Sequence, residues 1–371
     1  DFPKIAHDPN SGAIYITAWD IVFEDGSKGP ALFISRDGGQ TFVEQKLEYA
    51  RGQGRSPPIS VDVTPAGLLR VAVIFDQRLQ ILRFDREAKN FDIVVGPDLS
   101  GGIGVARVSR ESDRHWAVYR GPEIAIDRSA RHSGRIYAVW SKPKSIVNDP
   151  SFSANGQYGK DFDILFSYSD DDAFTWTSPQ NVNDDSGEGD QMFPSVDVDN
   201  TGVVHVTFLD KRENPDLPQY DVYYAKIFDD RVSRNVRVNP THTPNAVGGR
   251  EPGDYLDMVV GYPDRVYIAY PCGSWNNAGA GDACLTALDP HRVQFPGEFI
   301  RGDSNQDGII DISDAIDILG YLFTGGGTVT CEDAGDVNDD GVIDLSDGIY
   351  LLDYLFKHER QPPSPFPQPG K

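Results

Sequence analysis

Residues 124–140 read IAIDRSARHSGRIYAVW, and this stretch shows the pattern that decides the fold of most of the chain. An apolar run ends at Asp127, a turn containing Gly134 follows, and a second apolar run ends in the aromatic residue Trp140. Short apolar runs bounded by Asp and Gly are typical of two antiparallel strands joined by a turn. The stretch therefore predicts one β-hairpin.

The same pattern recurs four times outside this stretch. The copies occupy residues 5–19, 59–75, 196–208 and, more weakly, 256–270. With Asp8, Asp62, Asp127, Asp199 and Gly261 taken as equivalent, the step between copies is 54 to 72 residues. A sheet of this size cannot bury both faces alone, so repeated units favour a mostly β fold, a propeller of about five to six blades. Two β-sandwiches in tandem are the alternative.

A second motif occurs twice, as SRDGGQTF at residues 35–42 and as SDDDAFTW at residues 169–176. It resembles the Asp-box (BNR) repeats of sialidase-like β-propellers, and the resemblance covers residues 1–299. The family's motif forms a hairpin turn between the outer strands of a blade. The local chemistry agrees, because an Asp side chain accepts backbone N–H groups across a turn and Gly supplies an unusual dihedral.

The resemblance implies a glycan ligand and, for an enzyme, a glycoside hydrolase of the exo-sialidase type. Such an enzyme needs arginines for the substrate carboxylate, a Tyr nucleophile with a Glu, and an Asp acid/base. The family's Arg-Ile-Pro motif has no equivalent, since the nearest stretch is Pro3-Lys4-Ile5. Catalytic residues are therefore not assigned, and a non-catalytic interaction scaffold stays open. The candidate ligand-contacting residues are Arg212, Arg250, Glu251 and Tyr255.

These candidates stand at predicted strand ends, which face the mouth of a propeller. For Arg212 the alternative is a solvated ion pair with Asp210 or Asp221, an interaction that contributes little. Because sialidases have six blades and five copies are present, a sixth blade is either cryptic or precedes residue 1.

The chain changes character at Arg301. Residues 303–323 and 336–356 are identical at 13 of 21 positions. Each segment places oxygen donors at positions 1, 3, 5, 7, 9 and 12 of a loop with Gly at position 6, the arrangement of an EF-hand calcium site. The sequence predicts two calcium ions. Their expected ligands are Asp303, Asn305, Asp307, Ile309, Asp311 and Asp314 in the first loop, and Asp336, Asn338, Asp340, Val342, Asp344 and Asp347 in the second.

Apolar residues at helical spacing follow each loop, from Ile312 to Phe323 and from Leu345 to Phe356. A loop followed by a helix, twice, with Asp at position 12, resembles a type I dockerin domain of secreted bacterial proteins, assigned to residues 300–358. The resemblance implies a cohesin-like scaffold as partner, read through Ile312-Ser313 and Leu345-Ser346, with a cell-surface protein as the alternative. Residues 359–371 form a Pro-rich tail, a spacer or a terminal wrap.

Composition narrows the compartment and the partners. The net charge of -23 disfavours nucleic acid and anionic membrane surfaces, and favours cations. No apolar stretch reaches the roughly 20 residues of a membrane span. Cys272 and Cys284 would close a small loop in an oxidising compartment, while buried thiols are the alternative, and Cys331 is left over. We expect an extracellular protein.

Overall fold

The computed structural model describes residues 3–48, 58–75, 78–99, 104–109, 112–118, 122–148, 157–213, 215, 219–228, 230–240, 256–261, 265–272, 283–290, 293, 299–305, 309–324, 329, 331–357 and 360–366. The chain divides into two compact units. The first contains residues 1–230, 237–261 and 267–286, and the second contains residues 231–236, 262–266 and 287–371.

The first two sheets are four-stranded antiparallel meanders in chain order. The first consists of β1 (Lys4–His7), β2 (Ile14–Val22), β3 (Lys28–Ser35) and β4 (Val43–Lys46). The second consists of β5 (Pro58–Val63), β6 (Leu69–Phe75), β7 (Arg78–Phe84) and β8 (Phe91–Asp98).

The third sheet has a hairpin added at its edge, where β9 pairs in parallel with β13. It consists of β9 (Gly104–Ser109), β10 (Ser112–Val118), β11 (Glu123–Ile126), β12 (Ile136–Asn148), β13 (Gln157–Ser169) and β14 (Gln180–Asn181). Its central pair, β12 and β13, is longer than any strand of the first two sheets.

The last two sheets differ in the number of their strands. The fourth consists of β15 (Gln191–Val198), β16 (Val204–Asp210), β17 (Asp221–Phe228), β18 (Arg231–Val232) and β19 (Val236–Arg237). The fifth consists of β20 (Asp257–Gly261), β21 (Arg265–Pro271) and β22 (Ala283–Leu288).

One strand of each sheet, called its first strand below, stands beside the next around one axis. In the third sheet this strand is β11, which follows the added hairpin of β9 and β10. β1 contacts β5, β5 contacts β11, β11 contacts β15, and β15 contacts β20. The Nζ atom of Lys4 in β1 binds the Oδ2 atom of Asp257 in β20 at 3.3 Å, which joins the first sheet to the fifth. Radial repetition of small sheets is a β-propeller, here with five blades in the part of the chain that the structure describes. The alternative of two sandwiches is wrong.

The apolar core lies between neighbouring blades. Tyr15 and Leu32 of the first blade pack with Val71 of the second in one cluster, and Ile81 of the second packs with Trp140 of the third in another. Each blade thus buries a face against the next, which is how radial stacking removes apolar surface from water.

The turns after the first strands correct one equivalence. In four blades the N–H of a Gly donates to the carbonyl oxygen of the residue that follows the first strand, in the pairs Gly12–Asp8, Gly67–Thr64, Gly134–Asp127 and Gly202–Asp199. The equivalent of Asp8 in the second blade is therefore Thr64 and not Asp62. A Thr hydroxyl accepts at a turn as a carboxylate does, and Thr64 Oγ1 accepts from the N–H of Leu68 at 3.1 Å. Asp62 lies inside β5.

The two SxDxxxT turns join the third strand to the fourth in their blades and share one hydrogen-bond pattern. In each turn the Thr N–H and hydroxyl donate to the Asp carboxylate, and the residue at the fifth position donates its N–H to the Ser hydroxyl. That fifth position has φ of +87° at Gly39 and +74° at Ala173. The Ala therefore adopts the left-handed conformation that Gly adopts in the first copy.

Three helices occur among the described residues of the second unit, α1 (Ile312–Phe323), α2 (Glu332–Gly335) and α3 (Leu345–Lys357). Helices α1 and α3 are those predicted after the two loops, whereas the single turn α2 was not predicted from the sequence. Their shared core contains Ala315, Ile318 and Leu351. A Cβ at Gly348 would meet Leu319 Cδ2 at 3.1 Å, so Gly348 permits the close approach of α1 and α3.

The tail returns to the start of this unit. The backbone N–H of Arg301 donates to the carbonyl oxygen of Pro365 at 2.8 Å. Tyr350 Oη donates to the carbonyl oxygen of Gln361 at 3.1 Å, and the rings of Tyr354 and Phe366 meet edge to face at 5.1 Å. Residues 360–366 therefore form a wrap over α3 and not a free spacer.

The three cysteines differ in their bonding. Cys272 and Cys284 form a disulfide, and Cys331 is a free thiol. None of the described helices is long and apolar enough to cross a membrane.

Candidate functional site

The axis of the propeller contains a cavity of about 510 Å³. All five first strands line it, and β21 and β22 close one side. Six charged side chains face it among the described residues: Lys4, Asp62, Glu123, Arg128, Asp197 and Asp257. The first strands are apolar on the faces that pack between blades, so these charges mark the axial face of each strand.

The first residues of β1, β11 and β20 form a polar cluster at one level of the cavity. Lys4 Nζ binds Glu123 Oε1 and also Asp257 Oδ2, the latter at 3.3 Å. The hydroxyl of Ser195 in β15 donates to Asp257 Oδ1 at 3.2 Å. One ammonium group thus bridges two carboxylates from blades that are not neighbours in sequence.

Burial sets the protonation of this cluster. Glu123 is 9% exposed, and burial raises the pKa of its carboxyl although the charge of Lys4 acts to lower it. For Lys4 burial acts to lower the pKa, but the charges of Glu123 and Asp257 outweigh burial and the pKa is raised. Glu123 is therefore a buried carboxyl that holds a proton more readily than a free Glu, beside the solvent-exposed carboxylate of Asp257.

Asp62 and Asp197 form a second level of the cavity. They lie two residues beyond Ser60 and Ser195 in β5 and β15, which is about 7 Å along a strand. Each carboxylate crosses to the next blade and accepts a backbone N–H, Ile126 N to Asp62 Oδ2 and Val260 N to Asp197 Oδ2, both at 2.7 Å. Arg128 pairs with Asp62. The two carboxylates thereby tie the second blade to the third and the fourth to the fifth.

The pKa values of these two carboxyls are raised. Burial raises the pKa of Asp197 to about 6, against the backbone hydrogen bonds that lower it, and the charge of Asp62 adds to the increase. Burial also raises the pKa of Asp62, and Arg128 opposes this. Burial is thus the main cause of both increases, while the charges of Asp62 and Arg128 act in opposite directions on Asp197.

The cavity lining also contains apolar side chains. Ile5, Val259 and Leu285 are 68%, 53% and 68% exposed, and Tyr267 lines the cavity with them. These residues come from the first and fifth blades, as Lys4 and Asp257 do. The lining therefore combines carboxylates with apolar side chains and one aromatic ring.

The structure does not bring Arg212 to this cavity. Its guanidinium binds Asp210 Oδ2 and Asp184 Oδ1, both at 2.7 Å, and lies over the ring of Tyr223 at 4.2 Å. Burial raises the pKa of Asp210 to about 6, and the bonds from Arg212 oppose that increase. Of the two partners considered for Arg212 from the sequence, Asp210 is present, and Asp221 pairs instead with Arg237.

The other three candidates, Arg250, Glu251 and Tyr255, lie outside the described residues. The axial carboxylates were not predicted from the sequence. A signal was present in Ser60-Val61-Asp62 and Ser195-Val196-Asp197, where polar residues alternate within first strands. Ser60 and Ser195 also accept backbone N–H groups of the next blade, from Ile124 and Met258, both at 3.1 Å.

The second unit contains the two acidic loops. In the second loop the carboxylates at positions 1 and 12 accept backbone N–H groups of the loop itself, in the pairs Asp340–Asp336, Gly341–Asp336, Asn338–Asp347 and Asp344–Asp347. The first loop repeats the last two bonds at Asp314, with the N–H groups of Asn305 and Asp311. Asp307 lies outside the described residues.

Asp336 and Asp347 are 6% and 0% exposed. Burial raises the pKa of Asp347, and the charge of Asp336 raises it further. Within the second loop as described, no Lys, Arg or His forms an ion pair with either carboxylate, and across the described residues no three acidic, His or Cys side chains converge as a metal-binding cluster. These two carboxylates are buried next to each other without a basic partner among the described residues, an arrangement that a bound cation would compensate.

Helices α1 and α3 expose a duplicated apolar face. The residues at matching positions of the repeat are 48% to 69% exposed, in the pairs Ile312 and Leu345, Ile316 and Ile349, and Phe323 and Phe356. Each helix therefore covers its inward face with the shared core and leaves a second apolar stripe in solvent.

Comparison with protein-family models and with curated proteins finds no match for the chain. Solved structures do match. An alpha-L-arabinanase of Penicillium chrysogenum complexed with arabinobiose is 13% identical, with a TM-score of 0.48, over 78% of this chain and 77% of that one. A protein of unknown function from Dyadobacter fermentans is 14% identical, with a TM-score of 0.45, over 76% and 78%. The NanB sialidase from Streptococcus pneumoniae is 11% identical, with a TM-score of 0.41, over 70% and 35%. Likeness at this level assigns no activity to the chain.

Proposed function

We propose that this protein is a secreted, glycan-directed propeller that binds and hydrolyses a glycan in its axial cavity, and that a calcium-dependent dockerin-like module docks it to a partner. The observation that carries the first half is the cavity itself. Its lining combines a buried carboxyl of raised pKa, Glu123, and an exposed carboxylate, Asp257, with apolar side chains and the ring of Tyr267. Glycoside hydrolysis needs an acid and a second carboxylate, and a sugar presents an apolar face that an aromatic ring matches.

The roles follow from the environment of each carboxyl. Glu123, protonated more readily than a free Glu, would donate its proton to the glycosidic oxygen as the bond to the anomeric carbon breaks. Asp257 would attack that carbon, and water would then release the sugar while Glu123 takes the proton back. Because Lys4 bridges them, their nearest oxygens lie at most about 6 Å apart, near the separation of retaining enzymes. Lys4 is then a positioning residue.

The test uses the purified chain and its Glu123→Gln variant, which keeps the size of the side chain and removes the acid. We expect turnover of at least one member of a panel of aryl glycosides and polysaccharides. In the variant we expect kcat to fall by at least about 100-fold. Ligand affinity should be retained in Glu123→Gln. No turnover together with no retention on a glycan array would exclude this function.

A non-catalytic propeller that serves as an interaction scaffold is the second candidate. Two observations favour it, since Lys4 forms ion pairs with both Glu123 and Asp257 and the described cavity lining contains a single arginine, Arg128. This function would be identified if the wild type binds a glycan or a protein but hydrolyses glycosides no faster than the Glu123→Gln variant does.

For the second unit we propose calcium as the resident ion of both loops. The buried Asp336 and Asp347 supply the observation, because a divalent cation would compensate their charge and alternate-residue oxygens suit calcium. The ligands would be the twelve residues named from the sequence. Metal titration by calorimetry should give two binding events, and Asp336→Ala should remove one of them.

The duplicated apolar face is the proposed docking surface, with a cohesin-like scaffold or a cell-surface protein as partner. Ile316→Asp with Ile349→Asp should abolish binding to immobilised cohesin-type modules in calcium without loss of helicity. Equal binding by the variant, or binding that persists in chelator, would contradict this assignment. The disulfide between Cys272 and Cys284 supports an extracellular location, since such bonds persist in oxidising compartments.

A further inference from the structure

The charges of the axial cavity are unbalanced. Among the described lining residues four carboxylates, Asp62, Glu123, Asp197 and Asp257, face two permanently basic side chains, Lys4 and Arg128. His7 also lines the cavity and adds positive charge only when it is protonated. With all four acids ionised, the described lining carries an excess of two negative charges, and with Glu123 protonated as the proposed function requires, an excess of one.

Both basic side chains already have carboxylate partners. Lys4 bridges Glu123 and Asp257, and Arg128 pairs with Asp62. A ligand carboxylate entering the cavity would therefore have to displace a protein carboxylate from its cation and leave that group without compensation. It would also lose its hydration beside like charges, which is unfavourable in a partly buried site.

A ligand ammonium group meets the opposite situation. It would find carboxylate oxygens on two levels of the axis, and its charge would reduce the excess. Burial is the main cause of the raised pKa values of Glu123 and Asp197, and the neighbouring carboxylates Asp257 and Asp62 add to the increase.

We infer that the axial cavity selects glycans without acidic groups, prefers protonated amino sugars to neutral ones, and rejects sialic and uronic acids. This inference rests on the proposed glycan-binding function and names its substrate class. It departs from the substrate implied by the Asp-box resemblance, because the geometry supplies no uncommitted cation, among the described lining residues, to receive a sugar carboxylate.

The experiment measures dissociation constants by calorimetry at pH 7.5. The probes are 6-amino-6-deoxyglucose oligomers, whose primary alkylamines are protonated at this pH, their neutral N-acetylated counterparts, and sialylated and uronic acid oligosaccharides, each in low and high salt. We expect the acidic probes to bind at least about tenfold more weakly than the neutral ones, and the amino probes more tightly. High salt should reduce both differences, since it screens partly exposed charge.

Asp197→Asn removes one axial charge and keeps an acceptor for the N–H of Val260. It should reduce the discrimination against acidic probes, whereas Glu48→Gln, which removes an exposed charge outside the cavity lining, should leave it unchanged. Acidic probes that bind as tightly as neutral ones would overturn the inference alone. No binding by any class of probe would overturn the proposed function and the inference with it.

Discussion

The axial cavity of the propeller and the second acidic loop both bury carboxylates, but they compensate them differently. In the cavity each carboxylate has a basic side chain or a backbone N–H of another blade, as Asp62 has with Arg128 and Ile126. In the loop Asp336 and Asp347 receive N–H groups from within the same loop, and no basic side chain pairs with them in the described structure. Each axial carboxylate therefore has a partner within the propeller, whereas the loop carboxylates would, under the calcium proposal, be compensated by an ion from solution.

Removal of calcium should give the largest separation of the two regions. With free calcium at about a hundred times the dissociation constant, each bound ion adds roughly 2.7 kcal/mol to the free energy of unfolding. Excess chelator, or Asp303→Ala with Asp336→Ala, should abolish the helical circular dichroism of the second unit. The melting transition of the propeller should stay in place, because its carboxylates have protein partners. Unchanged helicity in chelator would contradict the calcium proposal.

Lys4→Met should leave buried carboxylate charge in the propeller without a basic partner, as in the second acidic loop. It leaves Glu123 and Asp257 without their shared cation, and since Asp257 is exposed we expect a loss of about 2 kcal/mol, below the 3 to 5 of fully buried pairs. Urea denaturation measures the loss.

The matched control for this change is the double variant Lys4→Met with Glu123→Gln. It removes the buried charge together with its partner, so a double-mutant cycle should recover much of the stability. Additive losses in the cycle would show that Lys4 and Glu123 do not interact.

Phe366→Ala tests how much the contact between the tail and α3 stabilises the second unit, apart from any contribution of metal binding. The edge-to-face pair with Tyr354 ties the tail to α3, and its loss should lower the free energy of unfolding by about 1 kcal/mol in saturating calcium. Phe356→Ala is the control, because Phe356 is 66% exposed. Equal effects on the thermal midpoint from both changes would argue against the wrap.

The smallest expected effect concerns pH, because Asp197→Asn removes an unfavourable buried charge but also weakens the hydrogen bond from Val260. Asp197 has a folded pKa of about 6 against an ordinary value near 3.9, so its ionisation opposes folding increasingly from about pH 4, fully above about pH 6, and has no effect below about pH 4. Asp197→Asn should therefore raise the thermal midpoint of the propeller slightly at pH 7.5 and leave it unchanged at pH 4. A variant equally stabilised at both values would show that charge is not the cause.

The sequence was most informative where chemistry is local. The repeated hairpins predicted the propeller because each turn needs its own Asp or Gly, as Gly12 and Gly134 show. The helices α1 and α3 were predicted because apolar spacing follows each loop. The equivalence of Asp62 with Asp8 was wrong. Thr64 accepts a backbone N–H at the turn of the second blade, as the carboxylate of Asp8 does in the first, so Thr and Asp can occupy the same turn position.

By itself the sequence determined the blades, the acidic loops and the helices that follow them, because these depend on residues a few positions apart. Only the tertiary structure decided the site. Lys4, Glu123 and Asp257 are separated by more than a hundred residues, and each is unremarkable within its own strand. They meet because closing the ring of blades brings the first strands to one axis, and burial there, which no local pattern encodes, raises the pKa of Glu123.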